Sequence, residues 1–485
     1  MNDMRDSFEL GQSETFPLYI DGNWEPGEGE PFTLLNKYTL QPMASISSPS
    51  DEQIVKVIDS AHAAFRAGAP VAYERGVILD KAAVLIAERR DSFIRIMQQE
   101  AGFTAADAGG EVNRCIQTLR LSAEEARRLA GDVIPLEGAP NQAGRLAFTV
   151  RVPLGVVAAI TPFNAPLNTV THKIAPAFAA GNSVILKPSS NTPLTAMKLV
   201  EVLVEAGMPK GFLSLVQGRG RIAEALLGDD RVRFFAFTGS TEVGRSIQKA
   251  AGLRRTQMEL GSIAFTLVCD DADLDTALTK VVNAGYRKAG QVCTSVQILM
   301  VDRKVMADVQ DRLTAKVKAL SYGDPENPDT FVGPLISEKE AIRIESWIAE
   351  AVAKGARILA GGTREGAVLA PTLLTDIDAS MNVGACEIFG PVVCLVPFDT
   401  LDEAIDRVNS TPFGLASGIF TNRIKDAFTT ALKLEVGGVH INETSSSRVD
   451  MMPYGGSKDS GFGREGPYYA VHEMTEERII TISLT

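Results

Sequence analysis

The sequence predicts an α/β fold of two doubly wound, Rossmann-like parallel-sheet domains with an added β arm, and three observations carry that prediction. Short apolar runs at 156–160, 183–186, 213–216 and 233–237 alternate with helical patterns at 166–180, 193–206, 222–227 and 242–251. Strict alternation of this kind gives a parallel sheet with helices on both faces. A second strand series starts near 266–269 and continues through 298–301, 392–398 and 418–420. Ahead of the first series, a stretch rich in Gly, Pro, Asn and Ala (131–144) leads into the strand-like 146–152, a projection suited to oligomerisation.

Taken in order, residues 17–48 alternate apolar triplets such as Leu18-Tyr19-Ile20 with turn pairs such as Asp21-Gly22. They read as small edge strands. From Asp51 a helical region runs, with breaks, to about Leu129. Ser50 supplies an N-cap, Asp51 and Glu52 an acidic first turn, and Ala61, Ala64, Phe65, Leu79, Ala82 and Leu85 an apolar stripe at helical spacing.

Composition narrows the function classes. A length of 485 residues with 45% apolar content suits a protein of about two to four core-bearing units. No apolar run approaches the roughly 18 to 20 residues of a bilayer span, and Met1–Asp6 lacks a signal-peptide pattern. A net charge of −12 argues against nucleic acid or an anionic membrane as partner, and Arg127-Arg128 and Arg254-Arg255 read as solvated helix faces. Five scattered cysteines point to free thiols in a reducing compartment, hence the cytoplasm. Four isolated histidines give no metal-ligand spacing, so no metal is expected.

Cys293 is the chemically interesting thiol, because it sits in the turn-like Gly290-Gln291-Val292-Cys293-Thr294 just after a helical run, 274–286. A nucleophilic cysteine needs a polar, accessible niche and a base, since only the thiolate attacks well. Glu259, in Met258-Glu259-Leu260-Gly261, is a candidate base; in an apolar setting its pKa would rise. Asn164, in Pro162-Phe163-Asn164-Ala165-Pro166, can aim its amide at a developing oxyanion. Lys187 closes a strand and points toward the crevice where nucleotides bind. Phe237-Thr238-Gly239-Ser240-Thr241-Glu242-Val243-Gly244 lies at a strand end and opens a helix, a place for a pyrophosphate, though it is not the full Gly-x-Gly-x-x-Gly fingerprint.

Together and in this order, these five segments resemble the aldehyde dehydrogenase superfamily. The resemblance extends to Glu387-Ile388-Phe389-Gly390-Pro391, to 409–416 and to 452–461, and so covers nearly the whole chain. It implies Cys293 as nucleophile, Glu259 as general base, and Asn164 with the Cys293 amide as oxyanion hole. It implies NADP or NAD as cofactor. Lys187 and Glu387 would hold ribose hydroxyls, and Gly239, Ser240 and Gly244 would line the phosphates. Ile160, Thr161, Pro162, Phe163, Ser189, Ser190, Gly220, Phe237, Thr238, Val243, Leu260, Gly261 and Phe389 complete the implied cofactor contacts. The implied cofactor domain takes 1–130 and 152–259, the catalytic domain 260–452, and the arm 131–151 with 470–485, in a homodimer or homotetramer.

The chain departs from the commonest family pattern at Ser262, Ile263 and Phe265, at Lys288 (usually Asn) and at Ile298 (often Arg). Ser190 stands where an acid would favour NAD, so NADP should be tolerated or preferred. The segment 442–450 looks like the lactaldehyde, succinate-semialdehyde, phosphonoacetaldehyde and non-phosphorylating glyceraldehyde-3-phosphate members. That resemblance implies a small anionic or hydroxylated aldehyde, with Arg448 and Arg120 as candidate clamps on its anion. Rival readings are a CoA-acylating dehydrogenase, a dehydrogenase of aromatic aldehydes such as benzaldehyde, and a non-catalytic protein on the same scaffold.

Overall fold

Alternate residues of the 156–160 strand face two different hydrophobic cores, and that split organises the first half of the chain. Val157 and Ala159 join one core with Val184, Leu186, Phe234 and Ala236, while Val156, Ala158 and Ile160 join another with Ile185, Phe235 and Phe237. A strand buried on both faces needs helices on both faces. The computed structural model describes residues 15–483, so Met1–Asp6 and the last two residues of the expected arm lie outside the described residues.

The first sheet has eight strands in the order Gly461–Phe462, Arg255–Glu259, Val232–Thr238, Val156–Ile160, Ser183–Lys187, Leu213–Leu215, Leu18–Ile20 and Asn23–Glu25. Its five central strands, from Arg255–Glu259 to Leu213–Leu215, are parallel. The outer three add antiparallel edges, the last two being the small N-terminal strands the turn pattern predicts. The helical region resolves into Asp51–Ala67, Ala72–Glu88, Arg90–Ala101 and Ala105–Arg128. Ser50 caps the first in a full capping box with Gln53. The expected single apolar stripe divides between helices: Ala61 packs in one core, Leu79 and Ala82 in the other.

The second sheet has seven strands in the order Arg357–Ala360, Thr372–Thr375, Val392–Phe398, Val296–Asp302, Ala264–Val268, Ala416–Phe420 and Gly438–Ile441. All its pairings are parallel except the first. A third, three-stranded sheet pairs Thr475–Ser483 with Arg145–Pro153, and the latter with Val133–Ile134. Leu146, Ile479 and Ile482 stand exposed on this arm.

One expectation needs correction. Arg254 is a tie between chain segments, not a solvated surface group: it donates to the carbonyls of Leu227, Asp229 and Ala251 and lies 4.9 Å over the Phe235 ring. Its planar fork reaches several carbonyls at once, which a charge count along the sequence cannot reveal. Arg127 and Arg128 do stay at the surface, paired with Asp80 and Glu125.

Candidate active site

After the Leu274–Tyr286 helix the chain enters three consecutive left-handed residues: Lys288 (φ 52°), Ala289 (φ 53°) and Gly290 (φ 68°). L-residues seldom adopt this region, so the surroundings must hold it. The Lys288 N–H donates to Asp107 Oδ2 (3.1 Å), the Gln291 N–H to Lys288 O (3.1 Å), and the Ile336 N–H to Gln291 Oε1 (2.8 Å). A Cβ on Gly290 would fall 2.0 Å from Gly390 O, so glycine is required there. This pinned turn delivers Cys293 to the wall of a cavity of about 350 Å³, which Asn164 and Glu259 also line.

Cys293 Sγ lies 2.8 Å from Tyr454 Oη, and that hydroxyl lies 3.4 Å from Glu259 Oε1. Thr238 Oγ1 donates to the other carboxyl oxygen, Oε2, at 3.1 Å. The Arg448 guanidinium stacks 3.7 Å from the Tyr454 ring centroid and pairs with Glu465 (2.8 Å), whose second oxygen takes the buried Lys173 (2.9 Å). Burial, then the Glu259 carboxyl beside it, pushes the Cys293 thiol well above its ordinary pKa. Burial, then the charge of Glu465, raises Glu259, with Arg448 opposing. Burial also works against ionisation of Glu465, but Lys173 and Arg448 outweigh it and hold that group below the usual carboxylate range. The resting site therefore pairs a neutral thiol with a carboxyl of raised proton affinity.

Three arginines line the same cavity: Arg114, Arg287 and Arg448. Arg114 forms a two-pronged pair with Asp450, which also holds His172 Nε2 at 2.9 Å. Arg287 donates only to the neutral Ser446 hydroxyl (2.8 Å) and, among the described residues, forms no ion pair. Arg120 corrects an expectation: it lies exposed on the Ala105–Arg128 helix and takes no part in the cavity wall. Six residues turn a helix by about 240° net, so Arg114 meets the cavity where Arg120 meets solvent. Arg448 does reach the cavity, though already ion-paired.

The cofactor candidates gather at the carboxyl ends of the central strands, where Ile160 is in register with Lys187 and Phe237, and Thr238 with Glu259. Lys187 is buried, forms no ion pair among the described residues, and donates only to the Pro188 carbonyl (3.2 Å); burial pulls its pKa down to about 8. Glu387 is half-buried and forms no ion pair among the described residues; its Oε1 accepts the Ser262 N–H (2.9 Å), and desolvation pushes its carboxyl up to about 7 against a weaker pull from Arg343. A Cβ on Gly261 would meet Glu387 Oε2 at 2.9 Å, so the backbone approaches that carboxyl as only glycine allows. Phe389 meets Phe163 edge-on, centroids 5.8 Å apart. Ser240 caps the Thr241–Ala251 helix directly after Gly239, while Gly244 packs against Leu260, where a Cβ would come within 2.4 Å. Gly220 opens the Gly220–Leu227 helix, and Ser189 and Ser190 follow Lys187 half-buried. A buried lysine and a half-buried carboxyl, neither in an ion pair among the described residues, and a capped helix start at a parallel-sheet edge fit a dinucleotide's vicinal hydroxyls and diphosphate.

Sequence reasoning gave no role to Tyr454, Arg114, Arg287 or Glu465. Arg287 had a signal, being one of two adjacent cations directly before Ala289-Gly290. Tyr454 lay within the 452–461 segment of the resemblance, but its contacts with Cys293 and Glu259 span 161 and 195 positions; Glu465 had no signal, its Lys173 partner standing 292 positions away.

A doubly wound sheet whose crevice opens beside a half-buried thiol and a buried carboxyl is the architecture of a nucleotide-dependent enzyme. The chain belongs to the aldehyde dehydrogenase family, whose family model matches residues 24–480, and it is accordingly an oxidoreductase. It is 46% identical to a 3-sulfolactaldehyde dehydrogenase of Priestia aryabhattai, over 98% of this chain and 99% of that one. It is similar to aldehyde dehydrogenase 21 of Physcomitrella patens, crystallised with the reaction product succinate (TM-score 0.94, 37% identity, 97% of this chain and 98% of that one). It is also similar to the glyceraldehyde-3-phosphate dehydrogenase GapN of Methanocaldococcus jannaschii complexed with NADP (TM-score 0.90, 36% identity, 94% and 100% covered).

Proposed function

We propose that this protein oxidises a small, anionic, hydroxylated aldehyde of the 3-sulfolactaldehyde type to its carboxylate, with NADP or NAD as oxidant. The observation that carries the substrate reading is the arginine-lined cavity at Cys293, in which Arg287 forms no ion pair among the described residues, Asp107 and Glu111 acting on it only from beyond ion-pair distance. A guanidinium with no carboxylate in direct contact, beside the thiol, suits a sulfonate, phosphonate or carboxylate at the far end of a short aldehyde.

Cys293 passes its proton to water and adds to the aldehyde carbon, forming a C–S bond while the carbonyl π pair moves onto oxygen as an alkoxide. Asn164 and the Cys293 N–H face that oxyanion. Lys187, Glu387 and the Gly239-Ser240 turn would hold a nicotinamide cofactor, which would supply the hydride acceptor when bound. Loss of hydride leaves a Cys293 thioester. Glu259 takes a proton from water, hydroxide adds to the thioester carbon, the C–S bond breaks, and the carboxylate departs. Coenzyme A is not needed for release. The three-stranded arm, with its exposed Leu146, Ile479 and Ile482, supports a homodimer or homotetramer. Among the described residues no helix is long and apolar enough to cross a membrane; the five free cysteines support a reducing compartment such as the cytoplasm.

The test is reduced-cofactor formation with 3-sulfolactaldehyde, succinate semialdehyde, phosphonoacetaldehyde, lactaldehyde and benzaldehyde, each with NAD and NADP. Arg287→Gln is expected to lower kcat/KM for the anionic members by about 10- to 100-fold, the worth of one charge-assisted hydrogen bond. Uncharged lactaldehyde should lose far less. Equal losses for charged and uncharged aldehydes, or a preference for benzaldehyde, would discard the anion reading. For the cofactor, Ser190→Asp is expected to reduce kcat/KM with NADP by about tenfold or more through repulsion of the 2′-phosphate. The NAD value should change little, and an equal change in both would remove Ser190 from the 2′-phosphate site.

A further inference from the structure

Lys288 is one of the positions at which the chain departs from the pattern the resemblance implies, and its side chain is buried at the meeting point of three chain segments. Its Nζ pairs with Glu111 Oε1 at 2.7 Å and donates to the Asn164 carbonyl at 3.1 Å. The other Glu111 oxygen accepts the Asn168 N–H at 3.0 Å. One ion pair thus ties the Ala105–Arg128 helix, the Asn164 loop and the Cys293 loop together, with both side chains shielded from solvent (6% and 1% exposed). The ammonium also sits 4.5 Å over the Phe103 ring, while the Lys288 N–H fixes the left-handed turn to Asp107.

We propose that Lys288 is a positioning residue: paired with Glu111, it clamps the Asn164 loop against the Cys293 loop and so sets the oxyanion-binding amide opposite the nucleophile. The proposal rests on the roles given above to Cys293 and Asn164. Three features favour it over a merely structural ion pair. The contact falls on the backbone carbonyl of Asn164 itself, so a shift of Nζ moves the oxyanion residue directly. Glu111 also accepts the Asn168 N–H, where that loop enters the Asn168–Ala179 helix. And the left-handed run at Lys288 and Ala289 is a strained conformation that packing must maintain, as expected where geometry matters more than local stability. An asparagine is too short to reach Glu111 and Asn164 from the same Cα, and it would leave the buried Glu111 without its ion-pair partner, with Arg114 acting only from farther off.

The test compares two reactions of the same thiol. Alkylation of Cys293 by iodoacetamide needs the thiol but no oxyanion hole, whereas acylation by an aldehyde needs both. Lys288→Met combined with Glu111→Gln removes the charges as a pair and avoids an orphaned ion; a thermal melt checks that this variant folds, and Lys288→Arg provides a charge-retaining second variant. The paired variant is expected to slow the pre-steady-state burst of reduced cofactor by about 10- to 100-fold, within the range found for loss of an oxyanion donor. Its alkylation rate and its KM should stay within about twofold of the parent, since neither depends on the oxyanion site. Lys288→Arg should recover most of the burst rate. Adding Asn164→Ala to the paired variant should cost little more, because both changes act on one interaction. An unchanged burst rate, a parallel fall in alkylation, or full additivity with Asn164→Ala would each overturn the proposal. If Cys293→Ser kept the burst, the underlying assignment of the nucleophile would fail instead, which the same assays would show.

Discussion

Replacing Cys293 with alanine is expected to abolish turnover of every aldehyde with either cofactor, by on the order of 10⁴-fold or more, as when a covalent nucleophile is lost. No other thiol is placed to substitute. Cys115, Cys269 and Cys394 are buried and line no part of the arginine-walled cavity, so an aldehyde bound there cannot reach them. Cys386 is half-exposed but does not line the arginine-walled cavity. Initial rates in the aldehyde panel would measure the loss. Mass spectrometry after brief thiol labelling would add a second readout: label should concentrate on Cys293 in the parent and vanish from the variant. Residual activity above roughly one per cent of the parent would be too much for a site without its nucleophile and would rule out a thioester route through Cys293.

What the sequence made legible was local. The 156–160 strand and the 193–206 and 274–286 helices fall where their patterns place them, because a wholly apolar run, a proline at a helix start or a single apolar face is written in neighbouring residues. The Ser50 cap is legible for the same reason. Choosing between Arg114 and Arg120 was harder: both lie on one helix, and only the rotation of that helix decides which faces the cavity. The apolar stripe of the N-terminal helices misled in a similar way, since equal spacing on two helices does not say that they pack on opposite sides of a sheet. Tyr454, Arg448 and Glu465 meet Glu259 and Cys293 only after the last part of the chain folds back over the first sheet, through the Gly461–Phe462 strand paired with Arg255–Glu259. Lys288 was visible as a departure from the family pattern, yet what it does depends on Glu111 and Asn164, each more than a hundred positions away.

Glu259→Gln is expected to leave the first half of the reaction and stop the second. The glutamine amide still accepts from Thr238 and still fills the space beside Tyr454, but it takes no proton from water. The variant should release about one equivalent of reduced cofactor per site in a burst, then proceed about 10²- to 10⁴-fold more slowly than the parent, the usual worth of a general base. Stopped-flow fluorescence checks the burst, and acid quench followed by mass spectrometry should find the acyl group still on Cys293. A variant with neither burst nor trapped acyl group would show that Glu259 is needed before the thioester forms. The pH dependence has a definite sign. Burial and then Glu465 raise the folded-state pKa of Glu259, so the parent loses its base as pH falls through a range above that of an ordinary carboxylate, and turnover falls with it. Stability should run the other way. Below the unfolded pKa both states hold the proton and Glu259 contributes nothing; above it, the folded state has the greater affinity for a proton that solution no longer supplies, so the carboxylate destabilises the fold increasingly as pH rises through the folded pKa. Glutamine mimics the protonated acid. The variant should therefore melt at a higher temperature than the parent at pH 8, with the difference closing at low pH, and a lower melting temperature at pH 8 would mean that Glu259 ionises without strain and that its neighbours, Arg448 and Lys173, outweigh its burial.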